Sequence, residues 1–77
     1  MRNEKLLLSN MADKWPSNWV CRQAIEQFTG GIINPRSLAN WDCKGKGPKG
    51  RVRIGKKVAY PVKEVIRWLE KKAVALD

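Results

Sequence analysis

Apolar residues recur at helical spacing in the first third of the chain. Ala24, Ile25 and Phe28 lie on one side of a helix if residues 21–28 are helical. Paired glycines follow shortly afterwards, and glycine readily adopts the left-handed conformation that ends a helix. The pattern predicts a first helix of about two turns over 21–28.

Two more helices are indicated further along. Asn34 occupies an N-cap position and Pro35 the first helical position, which predicts a second helix over 35–43. A third helix is predicted over 61–72, where apolar residues recur at i, i+3, i+4 and i+7. These residues are Val62, Val65, Ile66 and Leu69.

The segment between the second and third helices alternates apolar and polar residues, as a β-hairpin does. We expect a loop over 55–57 that places Ile54 opposite Val58 and Val52 opposite Tyr60. This register would gather the four apolar side chains on the core face. It would turn two arginines outward, Arg51 and Arg53.

The order helix, helix, hairpin, helix predicts an α+β fold, a small winged helix-turn-helix in which the hairpin is the wing. Seventy-seven residues allow one domain. We expect a flexible N-terminal arm over 1–14, with docking of its leucines onto the core as the alternative, the winged domain over 15–73 and a C-terminal tail over 74–77. Residues 44–50 combine lysine with glycine and proline, which predicts a basic loop.

The charge balance narrows the range of partners. Sixteen Lys and Arg against seven Asp and Glu give a net charge of +9, which attracts nucleic acid or an anionic membrane surface. The longest apolar run near the start, Leu6 to Leu8, is far too short to span a membrane. We therefore expect no membrane partner and a cytoplasmic, nucleoid-associated protein.

The residues that usually carry catalysis or hold metals are scarce. The chain has no histidine and two cysteines, Cys21 and Cys43, too few for a structural zinc site. It lacks a nucleophile elbow and a P-loop. We expect no enzymatic activity, cofactor, metal or small-molecule substrate, and we expect the cysteines to be reduced.

One face of the second helix carries side chains that can bind base edges. Arg36, Ser37 and Asn40 lie together at about 100° per residue, while Leu38 and Trp41 lie on another side. Arginine can bond to guanine, asparagine to adenine and serine to either. The alternative is a solvated helix face beside a buried pair of apolar residues.

A run of cations follows that helix. From Cys43 to Lys63, with Lys63 included, the chain carries eight positive residues and no acidic one, a pattern that predicts phosphate contacts. The alternative is a charged rim that only aids solubility. The predicted phosphate-binding and wing residues are Arg22, Lys44, Lys46, Lys49, Arg51, Arg53, Lys56 and Lys57.

Residues 20–69 resemble the excisionase-like and AlpA-like helix-turn-helix proteins, which are relatives of the MerR-type winged helix. The resemblance is carried by five segments in order: RQAIEQFTG, PRSLANW, KGKGPK, VRIGKKVAYP and VKEVIRWLE. It implies sequence-specific binding of double-stranded DNA, with the second helix in the major groove and the hairpin as wing. It also implies a role as an excisionase, which bends DNA and assembles with an integrase or recombinase, or as a small transcriptional regulator.

The sequence departs from the family pattern at two places. Cys21 stands where a hydroxyl residue commonly caps the first helix, and residues 29–34 form a longer turn than the tight type. Cooperative binding to a second copy on repeated sites is a further expectation for a domain this small.

Two other functions stay open at this point. The basic face could dock an acidic protein such as an integrase, which would make the chain an adaptor. The four tryptophans could stack on single-stranded nucleic acid, although Trp41 and Trp68 lie at helical positions that favour packing in the core.

Overall fold

The computed structural model describes residues 11–74 and residue 76. In these residues the fold is α+β, with short helices packed on a three-stranded antiparallel sheet of order β1-β3-β2. The strands are β1 (Trp19–Cys21), β2 (Val52–Ile54) and β3 (Lys57–Pro61). The helices are α1 (Ile25–Phe28), preceded by a 3-10 turn over Arg22–Ala24, then α2 (Pro35–Cys43) and α3 (Val62–Lys72).

The second predicted helix is confirmed at its predicted bounds, because its start signal is local. The Asn34 side chain accepts a hydrogen bond from the backbone N–H of Ser37 at 2.8 Å, and Pro35 occupies the first turn. The third helix is confirmed too and starts at Val62. The first is shorter than predicted: α1 has four residues, and Cys21 ends a strand instead of opening the helix.

The strand β1 was not predicted, since three residues are too few to show an alternating pattern. It pairs with β3 in antiparallel fashion and sets Val20 opposite Tyr60. Both side chains are fully buried. β1 thus adds a third strand and covers the side of β3 that the hairpin leaves open.

The predicted hairpin register is wrong by one residue. Ile54 pairs with Lys57, Arg53 with Val58 and Val52 with Ala59, so the loop has two residues instead of three. Gly55 supplies the positive φ of 63° that such a tight turn needs.

A shift of one residue in register moves each side chain to the other face of the sheet. Val52 and Ile54 are therefore 38% and 73% exposed, and the expected core cluster of four apolar hairpin residues does not form. Arg51 and Arg53 do not both turn away from the body either, because the Arg51 guanidinium lies 3.6 Å from the buried Asp42 carboxylate.

The core lies between the inner face of the sheet and the helices. Leu38 of α2 and Val65 of α3 are fully buried in it. The other buried apolar side chains are Val20, Ile25, Phe28, Tyr60, Val62, Ile66, Trp68 and Leu69.

Residues 1–10 of the predicted arm, and residues 75 and 77 of the predicted tail, lie outside the described residues. Residues 11–13 are helical. Met11 and Ala12 are partly buried against the core.

Candidate nucleic-acid interface

The outer face of α2 presents two of the three predicted base-reading side chains to solvent. Arg36 and Asn40 are exposed, whereas Ser37 is half-buried. Leu38, on the opposite side, is fully buried and holds the helix on the core. The amphipathic pattern of α2 therefore places a guanidinium and a carboxamide one helical turn apart on the solvent side.

Cations dominate the surface from α2 to the start of α3. From Gln27 to Lys63, with Lys63 included, the sequence contains one carboxylate, that of Asp42, a residue that is only 7% exposed. Burial withdraws that carboxylate from solvent, and its closest ion pair is with Arg22, at 2.7 Å, outside this stretch. The exposed cations of this stretch are Arg36, Lys44, Lys46, Lys49, Arg51, Arg53, Lys56, Lys57 and Lys63.

Asp42 is the centre of a buried polar network. One carboxylate oxygen, Oδ2, accepts hydrogen bonds from Arg22 at 2.7 Å and from the Tyr60 hydroxyl at 2.5 Å. Arg22 also donates from Nε to the Tyr60 hydroxyl at 3.0 Å. Among the described residues the other oxygen, Oδ1, has no hydrogen-bond partner, and the Arg51 guanidinium lies 3.6 Å from it.

The network joins four parts of the fold. Arg22 comes from the 3-10 turn, Asp42 from the last turn of α2, Tyr60 from β3, and Arg51 from the residue before β2. Since a buried charge is stable only when it is paired and hydrogen-bonded, these contacts fix the C-terminal end of α2 against the hairpin.

The network changes the acidity of its members. Burial, together with the hydrogen bond to Asp42, raises the pKa of Tyr60 to about 12, although the Arg22 guanidinium opposes this shift. The hydrogen bond to Tyr60 and, less strongly, the bond to Asp42 raise the pKa of Arg22. The tyrosine therefore stays a hydrogen-bond donor and the arginine stays charged throughout the neutral range.

Besides Arg51, which lies 3.6 Å from Asp42, two more of the predicted phosphate-binding residues have partners within the fold. The Arg22 side chain is 27% exposed and is bonded to Asp42 and Tyr60. Lys57 donates from Nζ to the Gln23 side chain at 3.1 Å, which links β3 to the 3-10 turn.

The basic loop over 44–50 is attached to the body. The Lys46 carbonyl accepts a hydrogen bond from Trp68 Nε1 at 2.7 Å, and Pro48 is buried. A Cβ on Gly47 would overlap Asp42 Oδ1, so only glycine allows the loop backbone to pass over the carboxylate. The loop backbone is thus held while its lysine side chains remain exposed.

Sequence reasoning did not identify Asp42, Tyr60 or Gly47 as parts of the site. Helical periodicity contains a signal for the first, since Asp42 lies four residues after the buried Leu38 and therefore on the same face of α2. The other two depend on contacts between distant segments.

The tryptophans differ in how far they are buried. Trp68 is 8% exposed, as predicted for a core residue, and Trp41 is half-buried with its ring edge-on to Trp68 at 6.1 Å. The Lys72 ammonium lies 3.5 Å from the Trp41 ring centroid and covers it. Trp19 is 44% exposed.

Over residues 11–74 and 76, no three His, Cys, Asp or Glu side chains group as metal ligands would. No helix in that part of the chain has the length and apolar character needed to cross a membrane. The chain matches none of the protein-family models, curated proteins or solved structures with which it was compared.

Proposed function

We propose that this protein binds double-stranded DNA and reads its sequence as a winged helix-turn-helix. In this proposal α2 enters the major groove. The β2–β3 hairpin is the wing and lies along the phosphate backbone or in the adjacent minor groove. α1 supports α2 from behind, through contacts between the two helices.

The observation that carries the proposal is the burial of the one carboxylate between Gln27 and Lys63. With Asp42 withdrawn into the core, this continuous stretch of chain exposes nine cations and no acid. A cationic surface of this kind releases counterions when it binds a polyphosphate, and that release drives DNA association.

Base reading is assigned to Arg36 and Asn40, which share the solvent face of α2. Ser37 is a weaker candidate because it is half-buried. The preferred partners of these side chains are guanine O6 and N7 for arginine and adenine N6 and N7 for asparagine. Lysines of the loop at 44–50, with the hairpin cations, would hold phosphates.

The positions of the aromatic rings favour duplex over single-stranded nucleic acid. Stacking on bases needs open aromatic faces, but Trp68 is buried and the Lys72 ammonium covers Trp41, which leaves Trp19 as the one tryptophan classed as exposed. A single module of this size binds tightly only on repeated sites or with a partner. The proposed role is the one that the sequence resemblance implies, that of an excisionase or a small transcriptional regulator.

The test is selection from a random duplex library at roughly 150 mM salt, near physiological ionic strength. Arg36→Ala and Asn40→Ala are compared with the wild type. The control is Arg67→Ala, which removes the same guanidinium from α3, where it is exposed and pairs with Glu64 at 2.9 Å. Circular dichroism confirms that each variant is folded.

We expect an enriched motif with the wild type and with the control. Arg36→Ala should make one position of the motif less specific, with a loss of about 1–3 kcal/mol in discrimination between bases at that position. Lys46→Ala, by contrast, should weaken all sequences alike and lower the salt slope by about 1. Enrichment that is unchanged by Arg36→Ala and Asn40→Ala would refute the assignment of α2, and absence of any duplex binding would refute the function.

A further inference from the structure

We propose that Ile54 is a wedge that enters the minor groove, unstacks one base step and bends the DNA. This inference rests on the proposed function and adds a mechanical role for the tip of the wing. Its basis is an isoleucine that the fold leaves in solvent at the end of a narrow, cationic hairpin.

The exposure of Ile54 follows from the register of the hairpin. Ile54 is the last residue of β2, pairs with Lys57, and is 73% exposed. Single exposed apolar side chains are common on protein surfaces, so the inference rests on the position of Ile54 at the hairpin tip, among cations, and not on its exposure alone.

The surroundings of Ile54 favour a polyanionic partner. Arg53 precedes it, and Lys56 and Lys57 follow it after the glycine. Two copies meeting through their tips would bring six cations together, and like charges repel. An apolar wedge between cations suits the minor groove, where arginine and lysine are attracted to the negative potential and apolar side chains enter base steps.

The tip is also narrow and held in place. The turn has two residues, and the first of them is Gly55, which has no side chain that could compete with Ile54 for the groove. Lys57 is bonded to Gln23 at 3.1 Å, which holds the base of the turn against the body. Such a wedge loses little conformational freedom on binding.

The experiment measures the bend directly. A duplex carrying the selected motif is labelled at both ends for fluorescence energy transfer, and 2-aminopurine is placed at successive steps beside the motif. The full chain is compared with Ile54→Ala, with Ile54→Phe, which keeps an apolar wedge, and with Ile32→Ala. Ile32 is a matched control because it is 71% exposed but precedes α2, outside the hairpin.

We expect the wild type, Ile32→Ala and Ile54→Phe to bend the duplex by roughly 20–90° and to raise 2-aminopurine fluorescence at one step. Ile54→Ala should lose most of the bend and the fluorescence signal. Its affinity should fall by no more than about tenfold, because the variant also avoids the cost of unstacking.

Three results would overturn the inference. Ile54→Ala could bend DNA as the wild type does, or the wild type could bind without bending. Alternatively, analytical sedimentation could show that Ile54→Ala abolishes self-association while the DNA bend is unchanged. That result would assign Ile54 to a contact between two copies of the protein. In each case the duplex is still bound, so the proposed function stands, whereas absence of binding by the wild type would refute both.

Discussion

Replacing Asp42 by alanine tests whether the buried network holds the fold together. The Asp42 side chain is 4% exposed and accepts two hydrogen bonds, from Arg22 at 2.7 Å and from Tyr60 at 2.5 Å. Alanine removes both bonds and leaves the Tyr60 hydroxyl, in a fully buried residue, without its acceptor.

The expected loss is large relative to the stability of so short a chain. Removing one partner of a buried ion pair costs about 3–5 kcal/mol, although the partial exposure of Arg22, at 27%, favours the lower end. At about 0.05–0.15 kcal/mol per residue, 77 residues supply roughly 4–12 kcal/mol. Asp42→Ala should therefore lower the melting temperature by at least about 12 °C.

The assay is urea and thermal unfolding followed by circular dichroism. Glu64→Ala is the control, because it removes a carboxylate and an ion pair at the surface, where Glu64 and Arg67 are 27% and 67% exposed. That pair should contribute under about 1 kcal/mol. A cycle of Arg22→Ala, Asp42→Ala and the double variant then isolates their coupling, expected at about 0.5–3 kcal/mol. A loss below about 1 kcal/mol for Asp42→Ala, or additive single losses, would refute the network as a source of stability.

Three further predictions test other parts of the fold. Tyr60 is the one tyrosine of the chain, so tyrosinate absorbance should report its pKa alone, at about 12 when folded and near 10.0 in urea. The folded state then holds a proton that the unfolded state loses, so the free energy of unfolding should fall as the pH rises from 10.0 to about 12; a midpoint near 10 with native circular dichroism would contradict this. Gly47→Ala should destabilise the fold by about 1–3 kcal/mol through overlap with Asp42, and that cost should shrink in the Asp42→Ala background. Gly45→Ala is the control, because its strain comes from a backbone φ of 71° and should persist in the Asp42→Ala background. If Asp42→Ala changed the cost of both glycine substitutions equally, the overlap would be refuted. Asn34→Ala should lower stability by about 1 kcal/mol in thermal unfolding, because the α2 cap is lost, whereas unchanged stability would show that the cap contributes little.

The parts of the fold that sequence predicts best are those that depend on neighbouring residues. The cap at Asn34 and the proline after it define the start of α2, and helical periodicity places Arg36 and Asn40 on its solvent face. These signals come from residues within one or two helical turns of each other, so they do not depend on contacts with the rest of the chain.

Features that depend on distant pairing were missed. β1 exists because Val20 pairs with Tyr60, forty residues later, and three residues show no pattern of their own. The hairpin register was wrong because a glycine fits a two-residue or a three-residue loop equally well. The choice between them depends on tertiary contacts, among them the approach of Arg51 to Asp42.

The position of Asp42 links the fold to the proposed interface. A carboxylate in the last turn of a helix faces the negative end of the helix dipole, so α2 by itself would favour a cation there. The fold offsets this with Arg22 and Arg51, at 2.7 Å and 3.6 Å from the two carboxylate oxygens. The core of so short a chain is small, and apolar contacts have no preferred direction. Hydrogen bonds, by contrast, are directional. This charge cluster therefore contributes, together with the apolar packing, to holding the last turn of α2 against the hairpin, the two elements of the proposed interface.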